Sequence, residues 1–471
     1  MSKCEHWRKK KSIMPDFLNS ILWLLVTLGI LVTFHELGHF LAARLFGVKV
    51  LRFSVGFGRP LWSFRDKKGT EIAVAPIPLG GYVKMLDERE TDVPEADKHQ
   101  SYNSKPAWQK AIILFAGPAF NLVLAVFLYW LMFVVGKPEI MPAIGTPSAL
   151  LAEAGAQPKD RLLRINDDPV RSWQDVSLAL MSAGLDREDV TITVQRSEDE
   201  TVQLHLPLSR LPTDVTEDNM LAAIGLKPWR PHYSNEVGKA PAGMPAGKAG
   251  IQRGDRITSI NGEPTRNWQQ ILEILERVKK QQPDKPLTLR VQRGSRMLTI
   301  TIPSMATEAD TGRQVIGISP VPPAETDRQY AKSLFYTLQL DPVSAVPAAF
   351  AETWRMTTAT LGMFGRMLTG SASLKNISGP ITIAKVANDS AGMGFSWFLS
   401  FLALVSLSLG IINLMPVPML DGGQLLFLGL EKLKGQALSE QFHLTAQTIG
   451  ILLLLGLMGV AFYNDILRLV S

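Results

Sequence analysis

Long uncharged hydrophobic runs divide this chain of 471 residues into membrane-like and soluble-like parts. A transmembrane helix needs about 20 consecutive apolar residues. Four runs without Asp, Glu, Lys or Arg approach or exceed that length: 17–34, 111–136, 390–420 and 444–464. Apolar residues after the first run extend it, and the third is long enough that part of it should be a loop or kink. The pattern predicts four transmembrane helices.

The soluble-like part between the second and third runs contains an internal duplication. Ala154–Arg161 aligns with Ala249–Arg256, an offset of 95 residues, and Trp173-Gln174 aligns with Trp268-Gln269. A repeat of this size indicates tandem domains rather than a solenoid. The alternation of apolar residues, the Asn-Gly turn signal and a helical spacing from Trp268 predict strand, turn, strand, helix, strand in each copy.

The region Tyr330–Gly370 has apolar residues at helical spacing and no long uncharged run. This pattern predicts interfacial or packing helices beside the membrane. A simple linker helix fits the pattern nearly as well.

Charge and cysteine content narrow the function classes. The net charge of +6 is spread along the chain, without a basic helix or an aromatic-interleaved patch, so nucleic acid is not an expected partner. Cys4 is the only cysteine, which excludes an intrachain disulfide and cysteine-based zinc sites. The basic N-terminal tail resembles a signal peptide but no cleavage site follows, so we expect an uncleaved helix, and Met14 is an alternative start.

Lys and Arg counts in the short loops predict the orientation. The loop from Arg44 to Lys110 holds 12 and the last loop holds 2, whereas the N-terminal tail holds 5 and the C-terminal tail 1. Because Lys and Arg favour the cytoplasmic side, these loops should face the cytoplasm and both termini the outside. The large insert then lies outside the cytoplasm, which in a bacterium with two membranes is the periplasm.

The motif His35-Glu36-Leu37-Gly38-His39 directly follows the first apolar run. On a helix, residues i and i+4 share a face, so both imidazoles can bind one zinc ion and the adjacent Glu can act on a water. A histidine on an apolar face is usually a satisfied structural residue, but ionisable groups in lipid are costly and mark function. The motif therefore predicts a zinc hydrolase with its site at membrane depth.

A third zinc ligand is needed, since catalytic zinc usually has three protein ligands and one open position. Asp421 is the best candidate, because it is the first charge after 31 uncharged residues and follows the helix breakers Pro416 and Pro418. The first and third spans cross in the same direction, so their C-terminal ends should meet on one membrane side. Glu71 and Glu88 remain alternatives, and the other histidines lie outside the predicted spans.

Three groups of motifs together resemble the site-two protease family of intramembrane zinc proteases. They are His35–His39, the segment Asn413–Gly423, and the tandem insert, whose Ala249–Gly262 segment resembles bacterial PDZ domains. The first repeat departs from that pattern, with Lys159 and Asp167 in place of glycines. The likeness covers nearly the whole chain and includes Gly56–Gly58, Pro78–Met85 and Gly117–Asn121.

The resemblance implies that His35, His39 and Asp421 bind Zn²⁺, that Glu36 is the catalytic base and that Asn413 contacts substrate. The segment Thr70–Ala75, preceded by Asp66–Gly69, is predicted to be a hairpin arm, and the resemblance implies a membrane-re-entrant β element here. A strand that pairs with unwound substrate would stabilise it, and this arm is the candidate. Implied substrates are single-span transmembrane proteins: an anti-sigma factor already cut in the periplasm, in an envelope stress response, and remnant signal peptides. The PDZ domains either bind peptide by strand addition or act as a size filter.

The expected fold is a polytopic α-helical membrane protein of the bacterial inner membrane. It has four transmembrane segments, a membrane-associated β element and two inserted α+β PDZ domains. A non-catalytic PDZ membrane scaffold is the competing function, and a metal-dependent transporter fits less well, because no half-helix repeat is visible. The predicted segments are 1–16, 17–43, 44–106, 107–136, 137–234 (first PDZ), 235–325 (second PDZ), 326–389, 390–420, 421–443 and 444–466.

Overall fold

A computed structural model describes residues 16–88, 93–212, 215–216, 219–281, 285–307, 314–370, 373, 377–436 and 438–470. The N-terminal tail, including Met14, lies outside the described residues. The α-helices are α1 Asp16–Leu45, α2 Ala107–Val135, α3 Ala149–Glu153, α4 Trp173–Asp186, α5 Met220–Ile224, α6 Pro245–Lys248, α7 Trp268–Gln281, α8 Glu325–Leu334, α9 Ala345–Leu368, α10 Pro380–Met393, α11 Phe395–Leu414, α12 Asp421–Lys434 and α13 Glu440–Val470. Short 3-10 helices cover Glu95–Gln100 and Leu208–Arg210.

The strands are short and fall into several small sheets. They are β1 Val50–Phe57, β2 Trp62–Arg65, β3 Glu71–Val74, β4 Ile77–Met85, β5 Lys137–Ile140, β6 Arg161–Ile165, β7 Asp168–Pro169, β8 Val190–Gln195, β9 Thr201–Leu206, β10 Val237–Lys239, β11 Arg256–Ile260, β12 Glu263–Pro264, β13 Leu287–Arg293, β14 Arg296–Ile302, β15 Ala306–Thr307, β16 Gln314–Val315, β17 Ser319–Pro320 and β18 Phe335–Leu338. The chain divides into one unit that ends at Glu139 and resumes at Thr337, and a second unit, Ile140–Tyr336.

Four helices of the first unit are long and apolar enough to cross a membrane, which confirms the predicted number. Among the described residues they cover Phe17–Leu45, Ala107–Val135, Phe395–Leu414 and Glu440–Arg468. The third uncharged run is not one span, because Gly394 separates α10 from α11 and a loop follows Leu414. The fourth span begins earlier than predicted and so includes His443, whose ring packs on Phe427.

Helix α2 is the centre of the first unit. It packs against α1, α9, α11 and α12, and its buried face includes Ile113, Gly117 and Asn121. Close helix contacts in lipid depend on small residues and on polar groups that bond across the interface. Both occur here: Ser406 of α11 donates from Oγ to the carbonyl of Asn121 at 2.8 Å, and Gly410 packs against α2 beside Leu122.

A four-stranded sheet of order β2-β3-β1-β4 follows α1. The predicted hairpin is confirmed: β2 and β3 are antiparallel, and Asp66 closes their turn by accepting from the backbone N–H groups of Lys68 and Thr70. The expectation that substrate pairs with Thr70–Ala75 is wrong for its strand β3, because β2 pairs with one side of it and β1 pairs with the other in parallel. Among the described strands, β2 and β4 are the edges of this sheet.

The duplicated sequence of the second unit forms two sheets with the same strand order. The first has the order β7-β6-β8-β9 and the second β12-β11-β13-β14, so the predicted strand, turn, strand, helix, strand order is confirmed in both. Each copy has its own core, with Leu180 and Ile192 fully buried in the first and Ile257 and Ile271 in the second. The duplication therefore produced two separately packed domains.

Each repeat also contains the same buried carboxylate–guanidinium pair. Asp160 binds Arg196 in the first copy, and Asp255 binds Arg293 in the second at 2.7 and 2.8 Å. Burial raises the pKa of Asp255, but the hydrogen bonds from Arg293 and from a backbone N–H outweigh it and leave that pKa below its usual value. The aspartate that both copies share thus has a structural role, because its arginine partner also binds a carbonyl of the preceding loop, Gly155 in the first copy and Gly250 in the second.

The region 330–370 is only partly helical. Phe335–Leu338 is a strand, contrary to the prediction, and α9 begins at Ala345. Helix α9 packs against α2 and α11 within the first unit. Phe350 and Trp354, one helical turn apart, are largely exposed on its surface. The structure therefore favours a packing helix with an amphipathic face over a simple linker.

Candidate metal centre

Helix α1 places His35 and His39 on one face, as their spacing predicts. Their Nε2 atoms are 3.3 Å apart, and both residues are more than nine-tenths buried. His35 lies ten residues before the end of α1, which is about 15 Å of helix. Both imidazoles therefore lie inside a helix that is long enough to cross the membrane, not in the loop after it.

Asp421, which lies far from the two histidines in the sequence, is close to both of them in the structure. It is the first residue of α12, where a carboxylate is favoured by the helix dipole, and not the end of α11 as the sequence suggested. Its Oδ2 lies 3.2 Å from Nε2 of His35 and its Oδ1 3.5 Å from Nε2 of His39. The loop 415–420, with its two prolines, turns the chain so that this side chain points back to α1.

The spacing and chemistry of these three groups fit a zinc ion. Tetrahedral zinc with bonds of about 2.0–2.1 Å to nitrogen and oxygen has ligand atoms about 3.3 Å apart, close to the three separations above. Two imidazoles and one carboxylate also leave a fourth position open, as catalytic zinc requires. In the described part of the chain, this is the one group of three such residues with ligand atoms within 4.8 Å.

The alternative carboxylates are engaged elsewhere. Glu71 accepts two hydrogen bonds from Arg52, at 2.8 and 2.9 Å, and Glu88 accepts from Oγ of Ser101 at 2.5 Å. Each belongs to the packing around the four-stranded sheet. Among the three carboxylates weighed from the sequence, the structure brings only Asp421 to the histidines.

A cavity of about 480 Å³ opens on the histidine and carboxylate cluster. Glu36 lines it together with His39 and Asp421, and strand β4 forms one wall. A side chain at Gly81 of β4 would lie 3.1 Å from Cγ of Glu36, so this glycine lets the strand approach the carboxylate. The remaining lining residues are Tyr82, Val83, Lys84, Met85, Asp87, Tyr102, Ile113, Leu114 and Gln424.

Asn413 occupies a different place from the other predicted site residues. It lies in the last turn of α11 and is half-buried. It does not belong to the described residues that line the cavity. The structure therefore brings together His35, Glu36, His39 and Asp421, while Asn413 lies before the loop that leads to Asp421.

Comparison with known proteins agrees with this geometry. The profile of Peptidase family M50 matches residues 23–457. The chain belongs to this family. It is a zinc metalloprotease and a multi-pass membrane protein.

Relatives of this M50 peptidase align with almost its full length. A protein of Xylella fastidiosa (strain Temecula1) named "Putative zinc metalloprotease" is 42% identical over 459 residues, 96% of this chain and 100% of the relative. The regulator of sigma-E protease RseP of Salmonella typhimurium (strain 14028s) is 39% identical over 464 residues, 96% and 100% of the two chains. RseP of Escherichia coli K12 is 38% identical over 461 residues, 97% and 100%.

Two glycines let α1 and α2 of this peptidase approach closely at the cluster. A Cβ at Gly38 would lie 2.2 Å from the carbonyl oxygen of Ala116, and a Cβ at Gly117 would lie 2.3 Å from Nε2 of His39. No role for Gly117 follows from the sequence alone, although the segment 117–121 contributes to the family resemblance. Its role depends on the distance between two helices, which the sequence does not give.

Gly38→Ala is expected to weaken zinc binding and proteolysis strongly, because α1 must move away from the α2 backbone to admit the methyl group. Gly29→Ala is the matched control on the same helix, since a Cβ there meets nothing within 4 Å and alanine favours a helix. Zinc content after chelator dialysis and cleavage rate measure the effect. Equal zinc retention by both variants would contradict the close-approach explanation.

Proposed function

We propose that this protein cuts peptide bonds within the transmembrane segments of single-span membrane proteins. The observation that carries the proposal is the depth of the histidine pair inside a membrane-length helix, where His39, Glu36 and Asp421 line a cavity. A metalloprotease acting on soluble peptide has no need to bury its ionisable groups in a membrane-spanning helix, where they are costly.

In this proposal His35, His39 and Asp421 hold the zinc, and Glu36 is the general base. Zinc, when bound, lowers the pKa of a water toward neutrality and polarises the scissile carbonyl. The Glu36 carboxylate takes the proton from the attacking water and passes it to the leaving nitrogen. Its position on the cavity wall, one residue from a ligand, supports this role.

Strand β4 is the proposed binding edge for the substrate backbone. One side of β4 pairs with β1, while its residues Tyr82–Met85 line the cavity. A transmembrane helix has its peptide groups bonded internally, so it must unwind before attack, and pairing with a strand edge would stabilise the unwound segment. Asn413 is proposed to hydrogen-bond substrate backbone as it enters, a role resting on its position before the 415–420 loop and on the family resemblance.

Cysteine cross-linking should detect this strand pairing. With Cys4 replaced, Lys84→Cys in an inactive Glu36→Gln background is expected to form a disulfide with a cysteine placed near the scissile bond, since paired strands bring Cβ atoms within disulfide range. Trp62→Cys, on the opposite free edge of the sheet, is the matched control and should not. The reverse pattern, with Trp62→Cys cross-linked instead, would show that β2 receives the substrate.

The two repeats of the second unit are proposed to be PDZ domains in the periplasm. Their common strand order, and the Gly254-Asp255 and Asn261-Gly262 motifs of the second copy, support this identity. The loop charges support a cytoplasmic-side active site in a bacterial inner membrane. The substrates that we propose, on the family resemblance, are an anti-sigma-E factor already trimmed in the periplasm and remnant signal peptides; the names of the relatives point only to sigma-E regulation.

Cleavage of a purified single-span substrate in liposomes tests the proposed function. The expected result is a cut within the span, located by mass spectrometry, that a zinc chelator stops and added zinc restores. A cut only outside the span, or one that the chelator leaves unchanged, would reject intramembrane zinc proteolysis. No cut with any single-span substrate would reject single-span membrane proteins as the substrate class.

A further inference from the structure

Asn121 of α2 is a fully buried amide directly behind the candidate metal centre. Its Nδ2 lies 3.3 Å from Nδ1 of His35, its side chain is 0% exposed, and its Oδ1 has no hydrogen-bond partner among the described residues. A buried polar group without a partner is costly, so its place beside a histidine suggests a role in the site.

The second histidine has a corresponding partner on the same helix. Nδ1 of His39 lies 2.8 Å from the carbonyl oxygen of Ile113. A carbonyl can only accept, so Nδ1 of His39 carries the proton and its Nε2 keeps a free lone pair. Metal-binding histidines usually donate their second ring N–H in this way, which fixes ring orientation and tautomer.

The same requirement applied to His35 decides which end of the Asn121 amide faces it. Nε2 of His35 is the atom that faces Asp421 and His39, so Nδ1 must carry the proton when Nε2 binds a metal. The Nδ2 of Asn121 can only donate, and two donors would then face each other. A 180° rotation of the amide exchanges its nitrogen and oxygen and turns the contact into a hydrogen bond. In either orientation of the amide, one of its two polar atoms has no partner among the described residues. The cost of burying an unpaired polar atom is therefore present in both orientations and does not distinguish between them.

We propose that Asn121 is a positioning residue for zinc, whose side-chain carbonyl accepts Nδ1–H of His35 and holds Nε2 toward the metal. Helix α2 then supplies both supports of the histidine pair, the amide of Asn121 and the backbone of Ile113, two turns apart. The inference rests on the proposed function, because it takes His35 as a zinc ligand.

Zinc affinity of the full-length protein in detergent, measured by chelator competition, tests this inference. Asn121→Leu keeps the approximate shape but cannot accept, and is expected to weaken zinc binding about 10–100-fold. Asn121→Asp keeps an acceptor and is expected to bind zinc close to the parent value. Thr27→Val is the matched control. Thr27 lies on α1, is fully buried like Asn121, and its Oγ1 also has no partner among the described residues. This substitution should leave the zinc affinity unchanged.

The melting temperature of the metal-free protein separates positioning from packing. The metal-free Asn121→Leu variant is expected to melt near the parent, with the difference appearing only when zinc is added. Unchanged zinc affinity in Asn121→Leu, with or without a lower melting temperature, would overturn the inference, and so would an Asn121→Asp variant as weak as Asn121→Leu. A parent protein that binds no zinc would instead refute the proposed function, so the two failures are distinguishable.

Discussion

Glu36→Gln is expected to abolish proteolysis while leaving zinc bound. Glutamine has nearly the same shape as glutamate but cannot take a proton from water, and a general base contributes about 10²–10⁴-fold to the rate. The three groups proposed to hold zinc are unchanged, so the metal content should match the parent. Cleavage of a single-span substrate and zinc analysis of the same preparation measure both quantities.

Glu71→Gln is the matched control for this substitution. Glu71 is the carboxylate of β3 that pairs with Arg52 at a partly exposed position, where an ion pair contributes about 0–1 kcal/mol. We expect it to retain both activity and zinc. Normal turnover by Glu36→Gln would exclude the general-base role, and loss of zinc in Glu71→Gln would reopen the choice of the third ligand.

Asp421→Ala is expected to lose zinc, and activity with it. Removing one of three ligands should weaken binding by more than the about 10–100-fold that a supporting residue contributes. The two histidines would remain on α1, because their helix does not depend on the carboxylate. Zinc content after dialysis against a chelator, compared with the parent, measures the effect.

Asp87→Ala serves as the control, since Asp87 lines the same cavity but lies outside the cluster of three ligand groups. The Asp87→Ala variant should bind as much zinc as the parent, even if its substrate binding changes. Stoichiometric zinc in purified Asp421→Ala would show that another group completes the site. The distances between Asp421 and the histidines would then reflect a hydrogen-bonded cluster without a metal role.

Local sequence patterns were sufficient for the helices and for the repeats. The four apolar runs predicted the four spans because a membrane helix is defined by length and apolar composition alone. The spacing of His35 and His39 placed them on one face because helix geometry is local. The strands around Asn261-Gly262 were predictable for the same reason, since turn chemistry and period-two alternation act within a few residues.

The sequence-based predictions were wrong where contacts with residues distant in the sequence override the local pattern. Thr70–Ala75 has the pattern of an exposed hairpin arm, but β1 lies beside it in parallel, and parallel pairing is set by the path of the chain between the strands. Phe335–Leu338 fits a helical spacing yet forms a strand, since tertiary context overrides a weak local preference. Asp421 was expected at the end of a span and instead begins a new helix.

The sequence by itself determined the spans, the duplication and the chemical identity of the metal-binding candidates, because these depend on composition and on spacing within one helix or turn. Only the tertiary structure decided that Asp421, rather than Glu71 or Glu88, meets the histidines, and that Gly117, Ile113 and Asn121 of α2 lie behind them. Those relations join residues separated by 74 to 386 positions. They depend on how closely α1 and α2 approach and on where the 415–420 loop turns the chain, and both are properties of packing rather than of any local pattern.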